Sequence, residues 1–250
     1  MDRKIRVGAV SYLNTRPLLY GIGHDAVKDR IELVLDYPSA LARMLQEDSI
    51  DVGLIPVAVI PQLREHHVVS DFCIGTCGPV ASVGIFGEQP LETIRTVLLD
   101  YQSRTSVALA RILLREYWHS DAVCVDSQGE EYRHRIGGDV AGLVIGDRAL
   151  DQGLESAYMY DLGEAWKKHT GLDFVFAAWV ANKPLDPDFI SHFNAANAMG
   201  LERLDDVIRE VGPSRHDLKK YYTQHISYVL DDAKKAGMGL FLKKVQGEIQ

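Results

Sequence analysis

The sequence predicts an α/β protein built as two lobes, with the chain crossing between them twice. Three observations carry this. Strand-length apolar runs alternate with helical patterns over the first third, which implies βαβ units and a mainly parallel sheet. A second α/β set begins at about residue 90. The 250 residues suffice for one large domain or two small lobes, and no Ser/Pro-rich linker, internal repeat or low-complexity segment divides them.

The elements follow in order. Strands are predicted at 4–10, 31–36 and 52–55, and helices at 16–21, 39–47 and 57–66. Pro17 falls where it can open a helix. Asp36-Tyr37-Pro38-Ser39 reads as a strand end followed by a cap. Two β-rich runs, Asp71–Thr76 and Ala81–Phe86, are punctuated by Gly75, Gly78 and Pro79. Arg95–Leu99 reads as a strand, followed by Tyr101-Gln102-Ser103-Arg104-Thr105-Ser106. A helix then runs through Trp118, with an apolar stripe at Val107, Ala110, Leu114 and Trp118. Ala122–Val125, Ala141–Ile145 and Ala157–Tyr160 are short strands, and Glu164–His169 is a helix ended by Gly171. Phe174–Ala181 is a long apolar strand. Residues 187–211 and 214–236 read as two helices broken at Gly212-Pro213, the second with a stripe of Tyr222, Ile226, Val229, Leu230 and Ala233. The crossings are placed near Gly87–Pro90 and Asn182–Pro184. Residues 1–87 with 183–250 then form one discontinuous lobe, and 88–182 the other.

Composition narrows the function. The chain is 46% apolar and 25% charged, as soluble globular proteins are. A net charge of −8, without a Lys/Arg cluster, argues against a nucleic-acid surface. No apolar run approaches the ~20 residues of a membrane span, and no signal-peptide pattern opens the chain. The odd count of cysteines, Cys73, Cys77 and Cys124, favours reduced thiols and a cytoplasmic protein. Nothing here sets an oligomeric state.

Two strand-to-helix turns carry the site signal. Ser11-Tyr12-Leu13-Asn14-Thr15 follows Ile5–Val10, and in open α/β sheets ligands bind beyond the carboxyl ends of the strands. Ser11, Tyr12, Asn14 and Thr15 there can hydrogen-bond a polar small molecule; the alternative is an ordinary turn with an Asn cap. Ser103, Arg104, Thr105 and Ser106 open an amphipathic helix at a strand end, where free N–H groups and the helix dipole favour an anion. The alternative is a plain Ser/Thr cap. Ser82 faces a cleft if its strand crosses between lobes. Asp147 and Arg148 lie at another strand end and can contact ligand or form a local turn salt bridge. The nine histidines show no metal-ligand spacing. Gly21-Ile22-Gly23 lacks the third glycine of a dinucleotide fingerprint, and no P-loop, GxSxG elbow or Cys/His pair stands out. No metal or cofactor is expected.

Taken together, Ser11–Leu18 (SYLNTRPL), Asp51–Pro56 (DVGLIP), Ser103–Ser106 (SRTS), Leu143–Leu150 (LVIGDRAL) and Asp161–Trp179 (DLGEAWKKHTGLDFVFAAW) resemble the MqnA family, chorismate dehydratases of the futalosine route to menaquinone. The resemblance implies a type II periplasmic-binding-protein-like fold used as a lyase. Chorismate would lose water and become 3-[(1-carboxyvinyl)oxy]benzoate. Asn14 and Ser82 match positions associated with the family's active site and are the implied catalytic pair. The chain departs from the family pattern at Gly84 and Gly87, at Asp173, and at Tyr101-Gln102, where small residues are usual.

On this reading Ser103, Thr105, Ser106 and the helix start hold one substrate carboxylate, with Arg104 adding charge. Asn14 and Ser82 hold the other carboxylate or the departing hydroxyl, with Ser11 and Thr15 beside them. No Asp, Glu or His in the matched motifs stands where a base is needed, so the substrate's enolpyruvyl carboxylate is a candidate internal base. Two alternatives are a non-catalytic cytosolic binder of a small carboxylate and the sister dihydroxynaphthoate-forming enzyme.

Overall fold

The computed structural model describes residues 3–247. Their elements run β1 (Ile5–Val10), α1 (Arg16–His24), β2 (Ile31–Asp36), α2 (Pro38–Gln46), β3 (Val52–Pro56), β4 (His67–Thr76), β5 (Val83–Gly87), β6 (Thr96–Leu99), α3 (Arg104–Glu116) and β7 (Val123–Asp126). The chain continues through β8 (Val140–Ile145), α4 (Asp147–Gln152), β9 (Tyr158–Asp161), α5 (Leu162–Thr170), β10 (Phe174–Ala181), α6 (Pro187–Glu202), α7 (Leu204–Val211), α8 (Leu218–Lys220), β11 (Ser227–Val229) and α9 (Asp232–Gly247).

These strands form two sheets. The first has the order β11-β4-β10-β3-β1-β2 and the second β7-β6-β8-β5-β9. β1 pairs parallel with both β2 and β3, which places the carboxyl ends of β1 and β3 on one edge. β10 enters antiparallel between β3 and β4, and all eight of its residues are buried. The apolar run read from sequence is thus a central strand, which is why it does not alternate.

The helices pack where small residues let them. α1 and α6 cross at Gly21 and Gly200: a Cβ on Gly21 would lie 1.6 Å from the Ala196 carbonyl oxygen, and one on Gly200 1.6 Å from that of Pro17. Only glycine permits that approach.

Several expectations are corrected. β4 ends in the first sheet at Thr76 and β5 opens in the second at Val83, so the chain crosses at 77–82. It returns at 171–173, between α5 and β10. The crossings expected near 87–90 and 182–184 each fall one strand late. Val83–Gly87 therefore pairs in the second sheet and Phe174–Ala181 in the first, and the lobe boundaries expected at residues 87 and 182 shift by one strand. The helix expected at 57–66 is a 3-10 turn over Val57–Gln62 containing Pro61, which cannot donate to a continuing helix. β4 then starts at His67.

The helix expected at 187–211 divides at Arg203 into α6 and α7. The one expected at 214–236 does not form. α8 runs into a π-turn at Tyr221–His225, and β11 adds an antiparallel edge to β4. The β-branched and aromatic run Ile226–Val229 suits that edge better than a helix. The expected stripe is broken, since Val229 is 52% exposed while Tyr222, Ile226 and Leu230 are buried.

Candidate functional site

A narrow cavity of about 50 Å³ lies between the two sheets. The first sheet supplies Val10 from β1, Leu54 and Pro56 from β3, Ile74 from β4, and Phe176 and Ala177 from β10. The second supplies Val83 from β5 and Ile145 from β8, with Gly146 just beyond. These strand ends make the walls apolar. Polar groups come from the two strand-to-helix turns, through Tyr12, Asn14, Thr15, Ser103 and Ser106. The sequence-predicted turns thus meet at one cavity, as strand-end ligand sites do in α/β folds.

The turn after β1 is held from several directions. The Thr15 hydroxyl donates to Asn14 Oδ1 at 3.0 Å, which leaves the Asn14 amide N–H groups to serve as donors. The Tyr228 hydroxyl donates to the Asn14 carbonyl at 2.9 Å. The Leu13 N–H donates to Asp147 Oδ1 at 2.9 Å, and the Tyr12 hydroxyl donates to Gln102 Oε1. The Tyr12 ring lies against Gly146, where a Cβ would approach it to 2.9 Å and where φ is +66°. Glycine is required there on both counts.

The turn before α3 is built locally. Ser103 caps the helix, its Oγ accepting from the Ser106 N–H at 3.1 Å. The Ser103 hydroxyl donates to Ser106 Oγ at 3.0 Å, which leaves the Ser106 hydroxyl proton to be donated onward. The first-turn N–H groups of α3 have no partner inside the helix, and its positive end favours an anion.

The other expected residues lie elsewhere. Thr105 is fully buried, and its Oγ1 accepts from the Ala58 N–H at 3.1 Å. It ties α3 to the turn after β3. Arg104 points away into a polar groove shared with Arg43, Ser39 and Gln62. Ser11 is exposed and is not among the lining residues. Ser82 is fully buried and is not among the lining residues, although Val80 and Val83 are, and its Oγ accepts from the Tyr221 hydroxyl at 2.7 Å. Arg148 pairs with Asp100 at 2.8 Å and Glu130 at 2.7 Å rather than with Asp147. Asp147 instead accepts from the first turn, as described above.

Sequence reasoning missed Tyr221 and Tyr228, whose hydroxyls reach Ser82 and Asn14. The cluster Tyr221, Tyr222 and Tyr228 inside an apparent helix was the available signal. It also missed Asp161, which caps α5 and accepts from the N–H groups of Val80 and Ala81 at 2.7–3.1 Å. That bond set fixes the first crossing, where Ala81 has φ +62°. Burial raises the Asp161 pKa, against the lowering effect of those N–H donors.

The electrostatics of the cavity are unusual for an anion site. Among the described residues that line it, none carries a carboxylate, ammonium, guanidinium or imidazole group, and Tyr12 is the one with an ionisable side chain. Burial pushes the Tyr12 hydroxyl above its ordinary value, so it keeps its proton at neutral pH. Burial likewise raises Asp147, opposed by the Leu13 N–H. No group of three or more His, Cys, Asp or Glu side chains that could hold a metal occurs among the described residues. Nor is any of their helices long and apolar enough to cross a membrane. The arrangement can bind an anion through neutral donors. It offers no side-chain carboxylate or imidazole as a base.

Comparison with known proteins adds four findings. A family model described as menaquinone biosynthesis matches residues 5–246. A chorismate dehydratase of Thermus thermophilus is 27% identical over 94% of this chain and 93% of its own. Among solved structures, a protein of Archaeoglobus fulgidus superposes with a TM-score of 0.78 at 14% identity, covering 98% of this chain and 97% of that one. The periplasmic aliphatic sulphonate binding protein SsuA of Escherichia coli gives 0.63 at 14% identity, covering 100% and 92%. The fold is that of the periplasmic binding proteins.

Proposed function

Since the chain belongs to the menaquinone-biosynthesis family, we propose that it is a chorismate dehydratase, a hydro-lyase that converts chorismate to 3-[(1-carboxyvinyl)oxy]benzoate. The observation that carries this reading is a cavity with neutral hydrogen-bond donors at its turns and no acidic, basic or imidazole side chain in its lining. Chorismate is a dicarboxylate whose loss of the ring hydroxyl and a neighbouring ring proton yields an aromatic ring. Aromatisation supplies the driving force, so the protein's task is to fix geometry.

In this reading the Ser106 hydroxyl and the α3 start hold one carboxylate, and the Asn14 amide holds the other carboxylate or the departing hydroxyl. Ser82, which donates to the Val80 carbonyl and accepts from the Tyr221 hydroxyl, is a positioning residue that sets the Val80–Val83 wall. A carboxylate held by neutral donors, without a guanidinium beside it, keeps more of its basicity. The enolpyruvyl carboxylate of the substrate then takes the ring proton. The C–H electron pair becomes the new ring double bond as the C–O bond breaks, and the departing hydroxide leaves with that proton as water. Holding base and proton together in good geometry can supply ~7–11 kcal/mol of the barrier. Closure over the cavity excludes water.

Incubation with chorismate, followed by product identification by mass and NMR, tests the proposal. The expected product is the benzoate ether, formed at a rate that is flat with pH around neutrality because no lining side chain titrates there. Chorismate recovered intact from a tight complex would instead make the protein a carboxylate binder.

A further inference from the structure

Gln102 is outside the chemistry above, yet each of its polar groups is engaged. Its N–H donates to Asp100 Oδ1 at 2.9 Å, and its carbonyl accepts from the Ser39 N–H at 3.1 Å. Side-chain Nε2 donates to the Tyr101 hydroxyl at 2.7 Å. Side-chain Oε1 accepts from Arg148 Nη2 at 2.9 Å and from the Tyr12 hydroxyl. Two of these bonds, to Ser39 and to Tyr12, leave the part of the chain built on the second sheet and end on the part built on the first.

The contacts behind Gln102 are anchored on a buried carboxylate. The Arg148 guanidinium is held by Asp100, whose carboxylate is buried and also accepts from the Tyr132 hydroxyl at 2.9 Å and the Ile145 N–H at 3.2 Å. Arg148 therefore fixes where Gln102 Oε1 stands, and Oε1 fixes the Tyr12 hydroxyl. Tyr12 lines the cavity and rests on Gly146, so its position decides whether that wall is in place.

We propose that Gln102 is a positioning residue that pins Tyr12 across the cleft, and so sets how often the cavity opens for ligand to enter and leave. The inference does not depend on which ligand the cavity takes. A cleft between two units opens by moving them apart, and the Tyr12–Gln102 bond must then break. A bond between neutral side chains shifts such an equilibrium by about two- to tenfold. That is enough to bias closure and too little to lock it.

Two neighbouring backbone groups report the opening directly. The Leu13 N–H donates to Asp147 and the Ser39 N–H to the Gln102 carbonyl, both across the cleft. Their amide protons exchange with solvent when the cleft opens. Residue-resolved hydrogen exchange on the ligand-free protein is therefore the test. Tyr12→Phe, which keeps the ring, and Gln102→Leu, which keeps the bulk, should each accelerate exchange at Leu13 and Ser39 about two- to tenfold. The double variant should be no faster than the faster single variant, because the one bond that Tyr12→Phe removes is already absent in Gln102→Leu. The buried strand amides of Val7 and Val97 should not change. With chorismate as probe, both variants should raise its dissociation rate. Unchanged exchange at Leu13 and Ser39 in both variants, an additive double variant, or equal acceleration at Val7 and Val97 would overturn the pin. If chorismate does not bind and the exchange pattern holds, the pin stands and the proposed activity falls.

Discussion

Two strand-to-helix turns line one cavity, and they are held in opposite ways. The turn at 103–106 presents its lining hydroxyls through local bonds, Ser103 and Ser106 bonding each other three residues apart, while Thr105 ties its far side to Ala58. The turn at 11–15 takes its shape from partners 90, 134 and 214 residues away, namely Gln102, Asp147 and Tyr228. A self-capped turn presents its donors whether or not the cleft is closed. The other is complete only when Gln102 and Asp147, from the second sheet's unit, have come against it. One turn is thus suited to first capture of an anion, and the other to the step that depends on closure. Substitutions in the two turns should therefore fail differently.

The largest effect is expected at Asn14. Asn14→Ala removes a donor placed in the closure-dependent turn, and loss of a donor aimed at developing charge costs ~100-fold or more in rate. Turnover of chorismate should fall that far, while stability drops by no more than the roughly 0.5–1.5 kcal/mol of the Thr15–Asn14 hydrogen bond. Near-normal kcat/KM in a folded Asn14→Ala variant would remove Asn14 from the chemistry and erase the contrast between the turns.

Thr105 should show the reverse pattern. Thr105→Val keeps the shape and deletes the acceptor for the buried Ala58 N–H. An unsatisfied buried donor costs about 1–3 kcal/mol. Urea denaturation should report that loss. A Thr105→Val protein of full stability that binds poorly would put this hydroxyl back at the ligand.

Much of this was legible in the sequence. β1, β2, β3 and β10 lie within a residue of where periodicity puts them, and both turns follow strands as their Ser, Thr and Asn content implies. The parts that were not legible depend on pairing between distant segments. Gly78-Pro79 and Gly87–Pro90 are equally good punctuation, and only the antiparallel pairing of Val83–Gly87 with β8 and β9 shows that the chain has already crossed. The run from 214 to 236 has helical spacing but meets the open edge of β4, and tertiary pairing overrides local preference. That misreading hid Tyr221 and Tyr228. One miss was avoidable: adjacent residues on a helix do not share a face. Arg104, Thr105 and Ser106 could not all point into one cavity. The structure sends Arg104 outward, Thr105 to Ala58 and Ser106 to the site.

Ser106→Ala sharpens the comparison from the other turn. The cap bond uses the Ser106 N–H and survives the substitution, so stability should change little. Affinity for chorismate should fall by roughly 0.5–1.5 kcal/mol, and by up to about 3 if the bond lost is to a charged carboxylate. Titration of matched acid and amide ligands separates these cases. Equal losses for both would mean that the turn does not read charge.

The smallest expected effect is Ser103→Ala, and it is the one that tests whether the second turn works as a unit. Ser103 accepts from the Ser106 N–H and donates to Ser106 Oγ. Loss of the cap should cost about 1 kcal/mol of stability. Its effect on affinity should run entirely through Ser106, because the Ser103 proton is already committed there and only the orientation of the Ser106 hydroxyl depends on it. Ser103→Ala should therefore weaken binding less than Ser106→Ala, and adding it to Ser106→Ala should weaken binding no further. A double variant that binds more weakly than Ser106→Ala alone would show that Ser103 reaches the ligand through its own hydroxyl. The turn would then present two independent donors rather than a relay ending in one.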